Sequence, residues 1–116
     1  MARVVVVSTG ERAQHLAARL QTHGCSVDEP ASAAQSAETI RARQPRLVIL
    51  DTALSDADPF AVCADLKAGA ASAIPILMLA HDDAVDRAFT AGADDVVTEP
   101  VNEAIFLRRV DCFLSR

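Results

Sequence analysis

Two hydrophobic patterns alternate along the chain. Uninterrupted apolar runs predict strands that are covered on both faces, and the clearest of these runs are residues 4–7, 47–50 and 76–79. Shorter runs at 25–27 and 96–97 predict two further strands. Between the strands, some segments have apolar residues at a helical period, and others end just before a glycine or a proline. These signals predict helices over residues 13–20, 33–42, 60–67, 83–91 and 102–114.

The predicted elements form a βαβαβαβαβα order with short connections, which favours right-handed parallel crossovers. The expected fold class is therefore α/β, a flavodoxin-like (βα)5 three-layer sandwich whose parallel sheet has the strand order 2-1-3-4-5. The 116 residues allow a single domain, residues 1–116. In this fold, functional groups gather at the carboxyl ends of the strands. Those ends carry Ser8, Thr9, Asp51, Ala80 and Glu99.

Composition narrows the class of protein. A hydrophobic fraction of 51% excludes disorder, and a net charge of −5 argues against direct binding to nucleic acid or to an anionic membrane. No apolar run is long enough to span a bilayer or to form a signal peptide. The three cysteines show no metal-binding spacing, which favours reduced thiols that fill the core or lie at the surface. We therefore expect a cytoplasmic protein without membrane contact.

Four segments of the chain, at matching spacings, resemble the receiver domain of two-component response regulators (the CheY-like superfamily). They are residues 45–51, 74–79, 91–95 and Pro100. The resemblance covers the whole chain and implies a regulatory, non-enzymatic domain in phosphorelay signal transduction. It also implies that Asp51 is the phosphoacceptor, that the peptide bond before Pro100 is cis, and that the chain is excised from a longer multidomain regulator.

The sequence departs from the family at most of the site. The acid pair that helps to hold Mg²⁺ in receivers falls on Ser8 and Thr9, and the hydroxyl residue that ends strand 4 falls on Ala80. The switch aromatic falls on Val96, and the lysine that ends strand 5 falls on Glu99. The resemblance therefore implies an atypical receiver with a degenerate phosphorylation site.

Physical chemistry supports that interpretation. Neutral hydroxyls are poor substitutes for carboxylates around Mg²⁺. Two unit charges about 4 Å apart interact by about 4 kcal/mol at an effective dielectric constant of about 20, so Glu99 should repel both Asp51 and a phosphoryl group. We expect no metal and no cofactor, and we expect Glu99→Lys alone to raise stability.

Two other functions remain open. Asp51 could be a working phosphoacceptor with an atypical site, in which case Mg²⁺ and a histidine kinase would be needed. The second open function is a flavodoxin-like enzyme or nucleotide binder. It is disfavoured because only one glycine, Gly10, follows strand 1, where a phosphate-binding loop would be rich in glycine.

Helix capping offers a simpler role for several polar residues. Ser8 and Glu11 match a capping box, which competes with a remodelled metal site. His81 could join Asp51 and Glu99 in a relocated cation site, whereas the simpler interpretation makes Asp82 or Asp83 a helix cap. Similarly, Asp56 and Asp58 are expected in a solvated loop and at the cap of the next helix.

The last helix has an apolar stripe wider than one core-facing side needs. Leu107, Val110 and Leu114 are expected to form a partner surface, while Phe106 and Phe113 face the sheet. The expected partners are a second copy of the chain, or an output domain or second receiver domain in the full-length protein.

Overall fold

The strands and their order agree with the sequence prediction. The computed structural model of the protein describes residues 1–115. Its five strands all pair in parallel, in the order β2-β1-β3-β4-β5. The strands are β1 (Arg3–Val7), β2 (Ser26–Asp28), β3 (Leu47–Asp51), β4 (Ile76–Ala80) and β5 (Asp95–Thr98).

Five helices connect and follow the strands. They are α1 (Gly10–Thr22), α2 (Ser36–Arg43), α3 (Pro59–Ala68), α4 (Val85–Thr90) and α5 (Glu103–Leu114). Two of the predicted helices begin with a 3₁₀ turn, Ala33–Gln35 before α2 and Asp82–Ala84 before α4. β2 begins later than predicted because the amide of Cys25 donates to the carbonyl of Leu20, which ties Cys25 to the end of α1.

Alternate residues of the strands supply two separate core layers. On one face, strand residues such as Val5 and Leu50 pack with residues of α2, α3 and α4. On the other face, residues such as Val6 and Ile49 pack with α1 and α5. Because a strand directs successive side chains to opposite faces, the apolar runs are continuous and the sheet is buried on both sides.

The inner line of α5 differs from the prediction. Phe106, Val110 and Phe113 are buried against the sheet, with Val110 fully inaccessible. The assignment of Val110 to a partner surface is therefore wrong, because a side chain buried in the core cannot contact another protein. Leu107 and Leu114 are partly buried and also pack against this core. None of the helices described above has the length and apolarity that crossing a bilayer requires.

Candidate functional site

Asp51 ends β3 at the carboxyl edge of the sheet. Its side chain is almost fully buried, with 1% exposure. Oδ1 accepts a hydrogen bond from the backbone N–H of Ala53 at 2.9 Å, and Oδ2 accepts one from the hydroxyl of Ser8 at 2.8 Å. Both carboxylate oxygens therefore have donors, as a buried charge requires.

Arg12 supplies the positive charge of the site. Its Nε lies 3.5 Å from Oδ2 of Asp51, and its Nη2 donates to Oε1 of Glu99. The arginine side chain is 33% exposed, whereas the glutamate side chain is only 10% exposed. A planar guanidinium presents several N–H donors in a fixed fork, so one side chain can serve two carboxylates.

This arrangement overturns one expectation from the sequence. Repulsion between Asp51 and Glu99 was expected to be unrelieved, but the guanidinium of Arg12 contacts both carboxylates. The premise that Glu99→Lys would only relieve repulsion is therefore contradicted, because the new ammonium would also face the guanidinium.

Sequence reasoning missed Arg12, although a signal was present. Arg12 lies in the first turn of α1, where the helix dipole disfavours a cation. Two acids are also predicted at strand ends on the same edge of the sheet, so a basic residue at this unfavourable helical position points to a role outside the helix. The turn at Gly10 precedes it and has φ +66°, a conformation that favours glycine.

Ser8 and Glu11 do not form the predicted capping box. The N-cap of α1 is Thr9, and its side chain makes no capping hydrogen bond. The hydroxyl of Ser8 donates to Asp51 and is not directed to the helix start. The capping box of Ser8 and Glu11 is therefore wrong, because Asp51 offers a charged acceptor to that hydroxyl.

The other altered positions line the same edge of the sheet. Ala80 is fully buried and Val96 is 8% exposed, and because both side chains are apolar, neither can donate a hydrogen bond to Asp51. The carbonyl of Ala80 accepts from the backbone N–H of Glu99 at 2.8 Å, which holds Glu99 beside the end of β4. The peptide bond between Glu99 and Pro100 is cis, as expected.

The acidic residues after β4 are not assembled with the site. The N-cap of the 3₁₀ turn is His81 and that of α4 is Ala84, and neither makes a side-chain capping bond. Asp82 and Asp83 therefore do not cap a helix, contrary to the prediction. Across residues 1–115, His, Cys, Asp and Glu side chains form no group of three or more that could hold a metal ion.

The acids after β3 make the local contacts expected of a loop and a cap. Asp58 is the N-cap of α3 and accepts from the backbone N–H groups of Phe60 and Ala61, which confirms its predicted role. Asp56 accepts from the backbone N–H of Ala33 at 3.0 Å.

The cysteines have structural or surface positions. Cys25 and Cys63 are buried free thiols, and Cys112 is exposed. Burial raises the pKa of Cys63 to about 11, with smaller opposing effects of nearby charges. Burial, followed by the charge of Asp111, also raises the pKa of Cys25. Neither buried thiol is activated as a nucleophile, since reactivity requires a lowered pKa.

Comparison with known proteins places this site in a family. Residues 5–111 match the family model described as response regulator receiver domain. The chain is 31% identical over 100 residues to the transcriptional regulatory protein CseB of Streptomyces coelicolor, covering 84% of this chain and 42% of CseB. It is 27% identical over 120 residues to protein PilH of Pseudomonas aeruginosa, covering 99% of both chains.

A solved structure gives the same result. The BeF3-activated N-terminal receiver domain of Klebsiella pneumoniae RstA superimposes with a TM-score of 0.87 at 26% identity, covering 98% of this chain and 99% of that one. The chain spans about two fifths of the length of CseB, so the match to that protein concerns one part of it. With the strand order, the buried Asp51 and the family match all in agreement, the chain belongs to the response regulator receiver domain family of two-component systems.

Proposed function

We propose that this chain is a degenerate receiver, which regulates an attached or partner domain through protein–protein contacts and not through phosphorylation of Asp51. The observation that carries the proposal is the guanidinium of Arg12, which contacts Asp51 and Glu99 at the place where a receiver needs free space for a phosphoryl group.

Phosphoryl transfer would require Asp51 to act as a nucleophile through a carboxylate oxygen. Both oxygens already accept hydrogen bonds, and the side chain is almost completely buried. An incoming phosphoryl group would also meet the carboxylate of Glu99 where the family has a lysine. A dianion beside this carboxylate lacks the electrostatic stabilisation on which phosphoryl transfer depends.

The residues present do not fit the Mg²⁺ ion that the receiver family implies. Mg²⁺ prefers anionic oxygen ligands in octahedral geometry, whereas Ser8 and Thr9 provide neutral hydroxyls. The carboxylates of Asp51 and Glu99 are anionic, but the guanidinium of Arg12 contacts both of them and would repel the ion. We therefore propose no step that uses a metal and no cofactor for this site.

The relatives suggest what the domain regulates. CseB is more than twice as long as the matched region and is named a transcriptional regulatory protein, which supports an output domain attached to a receiver. PilH matches this chain from end to end, which supports a receiver acting on a separate partner. In the proposed function, the partner is an output domain, a second receiver domain or a second copy of the chain.

The outer side of α5 is the proposed contact surface. Leu107 and Leu114 are half-buried and lie on one flank of the helix, whereas Ile105, which is 49% exposed, lies about 180–200° around the helix from them. Val110 is excluded because it is fully buried. Leu114→Lys is the suitable variant, because Leu114 belongs to the proposed surface, and Ile105→Lys, on the opposite flank of the helix, is the matched control. Weaker self-association in sedimentation with an unchanged circular dichroism spectrum would support a homodimer, while a parent protein that is monomeric at high concentration would refute it.

The inactive site can be tested by restoring it. The changes Ser8→Asp, Thr9→Asp, Ala80→Thr and Glu99→Lys return the family residues and should together produce Mg²⁺-dependent binding of beryllofluoride, a phosphoryl mimic. Adding Arg12→Ala should strengthen binding, because it removes the competing cation. The proposal fails if the parent protein binds beryllofluoride with Mg²⁺ as well as the restored variant does.

A working phosphoacceptor site is the competing function, and one observation favours it. Asp51 keeps its family position at the carboxyl end of β3. In that case a histidine kinase would be a partner, and phosphorylation would have to displace Arg12 from Asp51.

A further inference from the structure

We propose that Arg12 is a resident cation that takes the place of a divalent metal in this site, and that its removal converts Asp51 and Glu99 into a divalent-cation site. The inference rests on the proposed function and deepens it, since it names the cation that offsets the negative charge of the site when no metal does. It goes beyond the loss of family residues because it assigns a positive role to a residue of α1.

The contacts of Arg12 support this role. Asp51 ends β3, Glu99 follows β5, and β4 lies between these two strands. Arg12 reaches both carboxylates from α1, through Nε on one side and Nη2 on the other. A single positive group therefore connects a helix to the ends of two strands that do not pair, as a bridging metal ion could.

The surroundings explain why these carboxylates need a permanent cation. Asp51 is 1% exposed and the side chain of Glu99 is 10% exposed, so solvent screens neither charge well. A guanidinium stays protonated in proteins and is covalently attached, so its charge does not depend on the metal concentration. One of the two negative charges is therefore balanced in the same way whether or not Mg²⁺ is present.

Space for a metal exists only if the arginine side chain is removed. Arg12 and Glu99 line a cavity of about 320 Å³ between α1 and the start of α5, together with His15, Pro100 and Phe106. Glu99 lines this cavity and Asp51 does not, but Arg12 contacts both carboxylates, so its truncation should open space beside Asp51 as well. Two carboxylates without a cation between them offer anionic oxygens of the kind that Mg²⁺ and Mn²⁺ accept.

Mn²⁺ titration followed by electron paramagnetic resonance tests the proposal, because free Mn²⁺ gives a signal that is lost on binding. The parent protein should bind Mn²⁺ no better than in the millimolar range. Arg12→Ala should bind at least about tenfold more tightly, through oxygen ligands that are no longer blocked. This binding should disappear in the double variant Arg12→Ala/Asp51→Asn.

Arg19→Ala is the matched control. Arg19 lies on the same helix and pairs with an acid at the start of α5, Glu103, at 3.4 Å, but both side chains are about half exposed. Its removal should not increase Mn²⁺ binding, since solvent already screens Glu103. Equal gains in the two arginine variants would overturn the proposal, because they would reflect only the lower net charge.

Two further outcomes would overturn it. One is sub-millimolar Mn²⁺ binding by the parent protein that is lost in Asp51→Asn, since metal and guanidinium would then coexist. The other is a folded Arg12→Ala variant that binds Mn²⁺ no better than the parent does. If Arg12→Ala does not fold, Arg12→Gln removes the charge while it keeps hydrogen-bonding capacity, and the same result is expected.

Failure of this inference can be distinguished from failure of the proposed function. Phosphorylation of Asp51 in the parent protein would refute the proposed function and leave the Mn²⁺ result unchanged. Conversely, an Arg12→Ala variant without metal affinity would refute only the role of Arg12 as a substitute cation.

Discussion

Removal of the charge of Arg12 should destabilise the protein by an amount that its contacts allow us to bound. Arg12→Met keeps much of the aliphatic side chain but leaves Asp51 and Glu99 without their shared cation. At 3.5 Å and an effective dielectric constant of about 20, the attraction to Asp51 alone is about 5 kcal/mol. The net loss is smaller because the arginine regains hydration in the unfolded reference and its side chain is 33% exposed.

Mutational precedents narrow this range. Removing one partner of a buried ion pair costs about 3–5 kcal/mol, whereas exposed pairs contribute about 0–1 kcal/mol. Arg12 lies between these cases, so we expect a loss of about 2 kcal/mol. For a chain of this size, that loss corresponds to a decrease in Tm of about 8 °C.

Thermal and urea unfolding of matched variants would measure this loss. Arg19→Met removes the same charge from the same helix, but its partner Glu103 is about half exposed, so the loss should be under about 0.5 kcal/mol. In a Glu99→Gln background, Arg12→Met should cost less than in the parent, because one of the two carboxylates has gone. Equal losses for Arg12→Met and Arg19→Met, or a more stable Arg12→Met protein, would refute the reasoning.

Two other measurements test the account. Glu99→Lys should lower the Tm of the parent protein, where Arg12 faces the new ammonium, but raise the Tm of Arg12→Met, where the lysine becomes the counter-charge of Asp51. A shift in the same direction in both backgrounds would contradict this. Burial raises the pKa of Cys63 from 9.0 to about 11, so the folded state binds the thiol proton more tightly than the unfolded state does. The folding stability that this proton contributes should be lost as the pH rises from about 9 to about 11. Cys63→Ala should show a shallower fall in Tm between these pH values, and an unchanged slope would be inconsistent with the raised pKa.

The fold could be predicted from the sequence because a parallel sheet buried on both faces leaves a simple pattern. Each long apolar run became a strand within one residue of the prediction, with β3 extended to Asp51. The main difference at β2 arises from the hydrogen bond between Cys25 and Leu20, which belongs to the end of α1. The start of α5 was also close, because Asn102 caps it through its side chain.

The interior line of α5 shows where helical periodicity is ambiguous. Val110 follows Phe106 by four positions and precedes Phe113 by three, so these residues form one buried line. The same Val110 lies three positions from Leu107 and four from Leu114, so sequence spacing fits either line. The structure resolves this choice because Val110, at 0% exposure, lies between Phe106 and Phe113 and is buried with them against the sheet.

The site could be predicted only in part. Topology brings Ser8, Asp51 and Glu99 to one edge of the sheet, because the carboxyl ends of parallel strands meet there. The position of Arg12 depends on the turn at Gly10 and on the path of a long flexible side chain. Neither leaves a periodic pattern in the sequence. The counter-charge was therefore missed, although two acids near a buried edge should have prompted a search for one.

The most direct test of the central claim is exposure of the purified protein to a small phosphodonor. Incubation with acetyl phosphate, with and without Mg²⁺, would be followed by intact-mass spectrometry under conditions that preserve an aspartyl phosphate. A receiver with an intact site, treated in parallel, serves as the positive control. The account predicts no mass increase in this protein under either condition, because Arg12 and Glu99 exclude the phosphoryl group from Asp51. A Mg²⁺-dependent gain of one phosphoryl group that disappears in Asp51→Asn would contradict it.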